Sequence, residues 1–398
     1  MRKGWEYKKL GEVCDVINGL WIGKKEPFIN VAVIRNTNFS KDCQLNLDKV
    51  AFIDVEVKQF ASKKLKFGDI IIEKSGGSEK QPVGRPILFN ISDGNYSFSN
   101  FTSTLRIKDN TEVNSAYLHK CLYAFYLKGE TIKLQSKTTG LHNLNIKGYL
   151  RLNIPLPPLS TQLAIVSELD KINELIRLKK EQLKDFDNLA QSLFYEMFGD
   201  PMENEKGWEV KKLGEIGEFK NGLNFSKDEK GHSIKFLGVS DFQNKKSIAS
   251  DQLAYISLSE RVQEDYLLKT GDLVFVRSNG KKELIGRSVK MYITEPTTYS
   301  GFCIRCRITD EKVDKDYIAI LLKTPIIRQF MTNSGRGCNI SNLNQKILNS
   351  IPTILPPLPL QRLFAQRIEQ IEREKSEVQK SIQDLETLLA SRMQYWFE

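Results

Sequence analysis

This chain is an internal repeat, and the repeat decides how the rest of the sequence is to be read. Trp5-Glu6-Tyr7-Lys8-Lys9-Leu10-Gly11-Glu12 returns as Trp208-Glu209-Val210-Lys211-Lys212-Leu213-Gly214-Glu215, 203 positions on. Asn18-Gly19-Leu20 returns as Asn221-Gly222-Leu223 at the same displacement. Gly68-Asp69 matches Gly271-Asp272, Ser75-Gly76-Gly77 matches Ser278-Asn279-Gly280, and Gly84-Arg85 matches Gly286-Arg287. Each half closes with Leu-Pro-Pro-Leu (156–159 and 355–358), then Gln162 or Gln361, then a long charged amphipathic stretch. The displacement drifts only from 203 to 199. The repeating unit is a whole domain plus a helix, not a solenoid element. A chain built this way presents two similar surfaces related by an approximate two-fold axis, which suits a target with two half-sites.

The 398 residues suffice for two to four domains with proper cores. The 59 basic and 49 acidic residues give a net charge of +10, which favours a polyanionic partner without saying which kind. No apolar run approaches the ~18 residues that span a bilayer, so no membrane partner is expected. Met1-Arg2-Lys3-Gly4-Trp5 lacks the apolar core of a signal peptide. Six cysteines are too sparse for a disulfide framework in a chain this long. The cytoplasm is the expected compartment.

Residues 1–158 contain short β-type runs with a few helices. Val31 to Ile34, Ile70-Ile71-Ile72 and Leu105-Arg106-Ile107 are strand-like and bounded by Gly, Asn, Asp and Ser. Tyr117, Leu118, Cys121, Leu122 and Phe125 have helical spacing. The second half repeats this, with a strand over Leu273 to Val276 and a helix marked by Tyr317, Ile318, Ile320, Leu321 and Leu322. Each half is expected to be an α+β domain, over 1–158 and 200–357.

The stretches 159–199 and 358–398 differ from the domains. Residues 160 to about 198 lack Gly and Pro and keep a seven-residue apolar rhythm. Ile165, Ile172, Phe186 and Leu193 share one position, interrupted by Lys179; Leu169, Ile176, Leu183, Ala190 and Met197 share the other. In the second copy, Phe364, Ile371, Val378 and Leu385 end in Arg392, while Ile368, Ile382, Leu389 and Trp396 are interrupted by Lys375. Such heptads predict a coiled coil. Each helix would be roughly 58 Å long. Two equal helices in tandem copies pair most simply with each other, antiparallel, as a rod with a domain at each end. The alternative is that each helix binds a separate partner. Phe198-Gly199-Asp200-Pro201 ends the first helix, with Gly as C-cap and Pro blocking continuation.

Catalytic motifs are missing. There is no Gly-x-x-x-x-Gly-Lys-Ser/Thr nucleotide loop, and both Pro-Pro pairs are flanked by Leu rather than set in an amino-methyltransferase motif. The acidic-x-Lys triplets at Asp228 and Asp310 are what chance supplies in so charged a chain. Cys303-x-x-Cys306 has no second ligand pair, and His119, His142 and His232 offer none, so no metal site is expected. The two cysteines are expected in the interior of a strand, and His119 in a structural role.

This plan resembles the specificity subunit of type I restriction–modification systems. The likeness rests on Trp5 to Gly11 with Asn18-Gly19, Pro155 to Gln162 with the following helix, Phe198 to Pro201, and their counterparts in the second half. It covers the whole chain. It implies a non-catalytic subunit in which each domain is a target-recognition domain for one half of a bipartite double-stranded DNA site, while the helices set the spacer. It further implies two methyltransferase subunits docked on the helices and two restriction (motor–nuclease) subunits. S-adenosylmethionine, ATP and Mg²⁺ would belong to those partners, and none to this chain. The rivals are a specificity subunit of a related fused methylation–cleavage enzyme, a nuclease or methyltransferase with an unrecognised motif, and a scaffold that does not bind DNA.

Two pairs of glycine-centred segments are the candidates for DNA contact. Lys74, Ser75 and Lys80 lead to Arg85, and Arg277, Ser278 and Lys281 lead to Arg287. Glycine permits close backbone approach to phosphate, and Ser, Lys and Arg supply donors. The second pair is Lys137, Thr138, His142 and Asn143, with Arg336 and Asn339 in the other half. Arg can bridge guanine and Asn can pair with adenine edges. The alternative for either pair is a polar turn with no ligand. Asn18-Gly19 and Asn221-Gly222 are expected to be turns with positive φ. The chain alone should neither transfer methyl groups nor cut DNA; assays with S-adenosylmethionine, or with ATP and Mg²⁺, check this, and turnover that co-purifies with the chain would contradict it.

Overall fold

Ile70-Ile71-Ile72 has no polar face, so a strand made from it must be covered on both sides. In the computed structural model it is the strand Ile70–Glu73, buried throughout. Alternate side chains point to opposite faces. Ile70 and Ile72 enter one core with Leu105, Leu118 and Leu122, while Ile71 enters another with Ile34, Phe89 and Phe98. The second half repeats the device: Leu273 and Phe275 face one cluster, Val274 and Val276 another. The chain forms two compact units, 1–180 with 380–398, and 181–379. The structure describes residues 4–21, 23, 25–40, 42–79, 81–138, 141–225, 229–242, 246–279, 284–333 and 343–397.

In the first unit the central sheet runs Cys14–Asn18, Thr102–Ile107, Ile70–Glu73, Pro86–Leu88, all antiparallel. A second sheet orders Ala51–Glu56, Phe28–Ile34 and Tyr96–Phe98, the last pair parallel. The helix Ser115–Leu127 lies on the predicted apolar positions. In the second unit the strands Gly217–Asn221, Cys303–Ile308, Leu273–Val276 and Ser288–Tyr292 repeat the central sheet, with Ser247–Ala249 added parallel at its edge. The two domains are thus α+β copies in tandem. Cys303 and Cys306, three apart on one strand, lie on opposite faces and in different cores. They cannot converge on one ion. Burial pushes both thiols up to about 12.

The Asn-Gly turns need correction. Neither Gly19 nor Gly222 has a positive φ. Their glycine is demanded by space: a Cβ would stand 1.9 Å from the Ser99 carbonyl oxygen at Gly19, and 2.2 Å from that of Ser300 at Gly222.

The long helices are Leu159–Phe198 and Leu358–Phe397. Gly199 closes the first, with φ +76° and its N–H donating to the Tyr195 carbonyl at 2.8 Å. Within the first unit the start of one helix runs antiparallel to the end of the other: Glu168 meets Arg392, and further along Lys180 meets Glu386 at 2.8 Å. Within the second unit Asp187 pairs with Lys375 at 2.5 Å, and Met197 lies beside Arg367. Ile165, Leu169, Ile172 and Ile176 are buried, as are Phe364, Ile368 and Ile371. Two residues that interrupt the heptads are thereby explained: Lys375 and Arg392 carry ion pairs across the seam.

At their C-terminal ends the helices leave the predicted stripes. Phe194 and Phe198 are buried, and so are Met393 and Phe397, one position beyond Leu193, Met197, Arg392 and Trp396. These residues enter domain cores. Phe198 packs 5.1 Å from the Tyr317 ring, and Phe397 packs 5.6 Å from the Tyr117 ring. Heptad reading assumes that the helix has one partner throughout; here its last turn changes partner from a helix to a domain.

The motif glutamines explain the junction. Gln162 is fully buried; its Oε1 accepts from the Asn114 N–H at 2.9 Å, and its Nε2 donates to the Glu112 and Pro157 carbonyls at 2.8 and 2.9 Å. Gln361 does the same with Asp314 N–H at 2.9 Å and the Lys312 and Pro356 carbonyls at 3.4 and 2.6 Å. Gln162→Ala would leave buried backbone groups unpaired, each costing about 1–3 kcal/mol. Urea unfolding should show the midpoint fall for this variant, whereas Ala at exposed Gln182 should move it little.

Candidate nucleic-acid interface

The two candidate segments of the first half form one structure. Ser75–Gly77 is a strand, and it pairs with Leu141–Leu144, which pairs in turn with Gln135–Thr138. The register sets Asn143 opposite Ser75, and His142 opposite both Gly77 and Lys137. Lys137, His142 and Asn143 therefore stand on strands of a hairpin, not in an open loop. The Ser75 hydroxyl donates to Asn143 Oδ1 at 2.6 Å. The exposed Lys137 ammonium lies 3.5 Å from Glu79. The double glycine has two separate reasons. Gly76 has φ +108°, and at Gly77 a Cβ would stand 2.8 Å from the Gln81 carbonyl oxygen.

Lys74 is half-buried, with Nζ 3.5 Å from Asn18 Oδ1. Burial lowers its pKa from the ordinary lysine value. Lys63, which sequence reasoning did not select, stands beside it: its Nζ donates to the Gly19 carbonyl at 2.7 Å, and burial and then the neighbouring Lys74 charge lower its pKa. An anion placed here would relieve both lysines. Nothing in the run Lys63-Lys64 marked one lysine as turned toward the candidate surface; only the packing of the helix Val57–Lys63 against the sheets does that. Asn36, also not selected, ties the surface together, donating from Nδ2 to the Ser75 carbonyl at 2.6 Å and to Glu73 at 3.0 Å.

Arg85 does not belong to this surface. It is 4% exposed; its Nε donates to Glu73 Oε2 at 2.7 Å and its Nη1 to the Phe39 carbonyl at 3.3 Å. Burial pushes the Glu73 carboxyl above its ordinary value, against the pull of Arg85. The Gly-Arg pattern showed a cation after a turn, but not the buried carboxylate awaiting it. In the second unit Val276 stands at the position of Glu73, and Arg287 is only half-buried. Arg287 instead lines a cavity of about 290 Å³ with Lys246, Lys323 and Arg328. Burial, then the nearby Lys246, lowers Lys323 to about 8.

Arg277 and Ser278 are half-buried, and the Arg277 carbonyl accepts from the Leu343 N–H at 2.8 Å. The Lys74 carbonyl accepts from the Leu144 N–H at the same distance, so in both halves the basic residue after the central strand bonds to the chain that leads toward the long helix. Lys80, Lys281, Arg336 and Asn339 lie outside the described residues, as does the side chain of Thr138. His119 is buried in the first domain, its Nε2 3.3 Å from the Pro86 carbonyl, and burial lowers it to about 4. Among the described residues no group of His, Cys, Asp and Glu is arranged to hold a metal. Asp310 caps a turn, accepting from the Lys312 N–H at 2.9 Å. Arg85→Ala should cost about 3–5 kcal/mol by stranding the Glu73 charge. Chemical denaturation checks this, and a variant as stable as the parent would show that the pair does not support the fold.

Comparisons with known proteins agree with this architecture. The family model for the type I restriction modification DNA specificity domain matches twice, over residues 2–185 and 205–387. The StySPI specificity subunit of Salmonella potsdam is 25% identical over 98% of this chain and 87% of that one. The EcoKI specificity subunit of Escherichia coli K12 is 25% identical over 96% of this chain and 84% of its own. Among solved structures, a chain from a study of complex assembly and conformational transition of the type I R-M system aligns with TM-score 0.64. It is 18% identical and covers 100% of this chain and 98% of that chain. The type I restriction-modification system S subunit from M. genitalium aligns with TM-score 0.52 and 15% identity over 98% of this chain and 95% of that one. With its two tandem recognition domains and two long helices, the chain belongs to the family of type I restriction modification DNA specificity domains, as a specificity subunit.

Proposed function

We propose that each domain reads one half of a bipartite double-stranded DNA site, while the two long helices set the number of unspecified base pairs between the halves. The observation that carries this reading is the repetition of one surface. In both halves a basic residue and a serine follow the central strand, and the segment before the long helix bonds to the backbone of that basic residue. Phosphate contacts would supply affinity and salt dependence, and base contacts specificity. On this reading Lys63, Lys74, Ser75, Lys137, His142 and Asn143 serve one half-site. Arg277, Ser278 and Arg287 serve the other. Lys80, Thr138, Lys281, Arg336 and Asn339 remain candidates by sequence, and Arg85 is left out as a framework residue.

Membership of the family supports assembly with partner subunits. Two methyltransferase subunits would dock on the helices, and two motor–nuclease subunits would complete the assembly. S-adenosylmethionine, ATP and Mg²⁺ would be bound by those subunits. Each unit has an open cavity against its helices, of about 900 Å³ beside Leu169 and Ile176 and about 730 Å³ beside Phe194 and Ile368, which supports partner docking there. No described helix is long and apolar enough to cross a membrane. The buried free thiols of Cys14, Cys43 and Cys121 suit a reducing cytoplasm.

The test is exchange of one domain. Replacing residues 1–155 by those of a relative, and co-expressing the hybrid with the methyltransferase subunit, should change one half of the methylated motif. The other half and the spacer should stay, because contacts held in separate units share few neighbours and nearly add. Methylome sequencing reads the outcome. Both halves changing together would sink the two-site reading.

A further inference from the structure

Each half of the chain turns a phenylalanine outward at the same place. The turns 99–102 and 300–303 precede the strands Thr102–Ile107 and Cys303–Ile308 and are closed by Thr102 N–H to the Ser99 carbonyl at 3.0 Å, and by Cys303 N–H to the Ser300 carbonyl at 2.8 Å. Phe101 and Phe302 sit third in these turns, 46% and 60% exposed. Turn geometry asks for no aromatic ring at that position, and leaving a Phe in water forgoes its burial. The neighbours have diverged, Asn100 to Gly301 and Thr102 to Cys303, yet the ring is kept.

The backbone ties both turns to the candidate DNA surface. The Phe101 carbonyl accepts from the Lys74 and Ser75 N–H groups at 2.9 and 3.0 Å, and the Phe302 carbonyl from those of Arg277 and Ser278 at 2.8 and 3.4 Å. Behind each turn stands the glycine that no other residue could replace, Gly19 against Ser99 and Gly222 against Ser300. Lys63, which donates to the Gly19 carbonyl, adds positive charge behind the first turn. An apolar ring framed by cations and hydroxyls is complementary to a duplex, whose charged backbone encloses an apolar stack.

The geometry points to Phe101 and Phe302 as base-contacting residues, one for each half-site, each pressing its ring against a base step between phosphates held by the adjoining donors. Apolar side chains inserted at base steps, or laid on thymine methyl groups, are established ways for proteins to reach the stack. The inference rests on the reading of each domain as a half-site reader, and it adds which side chain touches the bases.

The experiment uses the chain assembled with its methyltransferase subunit and a duplex carrying the motif read from the methylome. 2-Aminopurine is placed in turn at each position of both half-sites. Besides the adenine that the methyltransferase subunit takes out of the stack, the parent should give one further position per half-site where fluorescence rises on binding. Phe101→Ala should abolish that rise in the half-site of the first domain and weaken binding roughly ten-fold, the size of one lost base contact. The signal in the other half should be untouched. Phe302→Ala should do the reverse. Phe101→Leu, which keeps apolar bulk, should retain part of the affinity and covers the case in which the Ala variant fails to fold. Folded Ala variants that bind and fluoresce as the parent does would overturn the inference, as would loss of both signals from either substitution. Exchange of residues 1–155 separates this from the broader reading. If the exchange changes half the motif and Phe101→Ala changes nothing, only the role of the ring falls.

Discussion

A buried glutamine amide joins each long helix to its domain, and the rest of the chain depends on that joint. Gln162 and Gln361 each satisfy three backbone groups with one side chain. The amides they accept from belong to Asn114 and Asp314, which cap the helices Ser115–Leu127 and Lys315–Leu321. The ring hydroxyls of Tyr117 and Tyr317 then donate to the Pro155 and Ile354 carbonyls at 2.7 and 3.0 Å. Amide, cap and tyrosine thus fix where each helix starts relative to its own domain. Prolines stiffen the approach, since their φ is already set. A helix measures distance only if its first turn cannot swing.

The far ends of the helices are held by aromatic packing instead. Phe198 lies 5.1 Å from the Phe364 ring and 5.1 Å from the Tyr317 ring. In the first unit Phe397 reaches Tyr117, and Trp396 stacks on Trp5 at 6.4 Å. Trp396 also donates from Nε1 to Glu168 at 3.0 Å, beside Arg392. Each domain core therefore contains residues from the end of a helix that began elsewhere in the chain. Burial of whole aromatic side chains is worth more than exposed ion pairs, so the charged seam residues set register while the rings supply most of the adhesion.

The two domains show how a repeat diverges without losing its frame. Glu73 and Arg85 form a buried pair in the first domain; Val276 and a half-buried Arg287 stand in their places in the second. The surrounding strands keep their pairing, because the central sheet is held by apolar side chains on both faces. Even a buried polar pair beside the sheet can change while the sheet stays.

Much of this was legible in the residues themselves. A displacement of about 200 residues repeated along the chain reveals two copies, heptads reveal the helices, and an all-apolar triplet reveals a strand covered twice, because these patterns are local and periodic. Ser115–Leu127 falls where its apolar spacing places it. Three-dimensional neighbours are another matter. Gly19 and Gly222 look like turn glycines, and only the approach of Ser99 and Ser300 shows that they are spacers. Arg85 looks like a surface donor until Glu73 is found beneath it, and Lys63 looks incidental until Lys74 is found beside it. The segments around Ser75 and Asn143, far apart in sequence, become adjacent strands only when the sheet assembles. Periodicity decides which face of an element is buried; which partner lies against that face is a non-local contact, and only the tertiary structure could decide it.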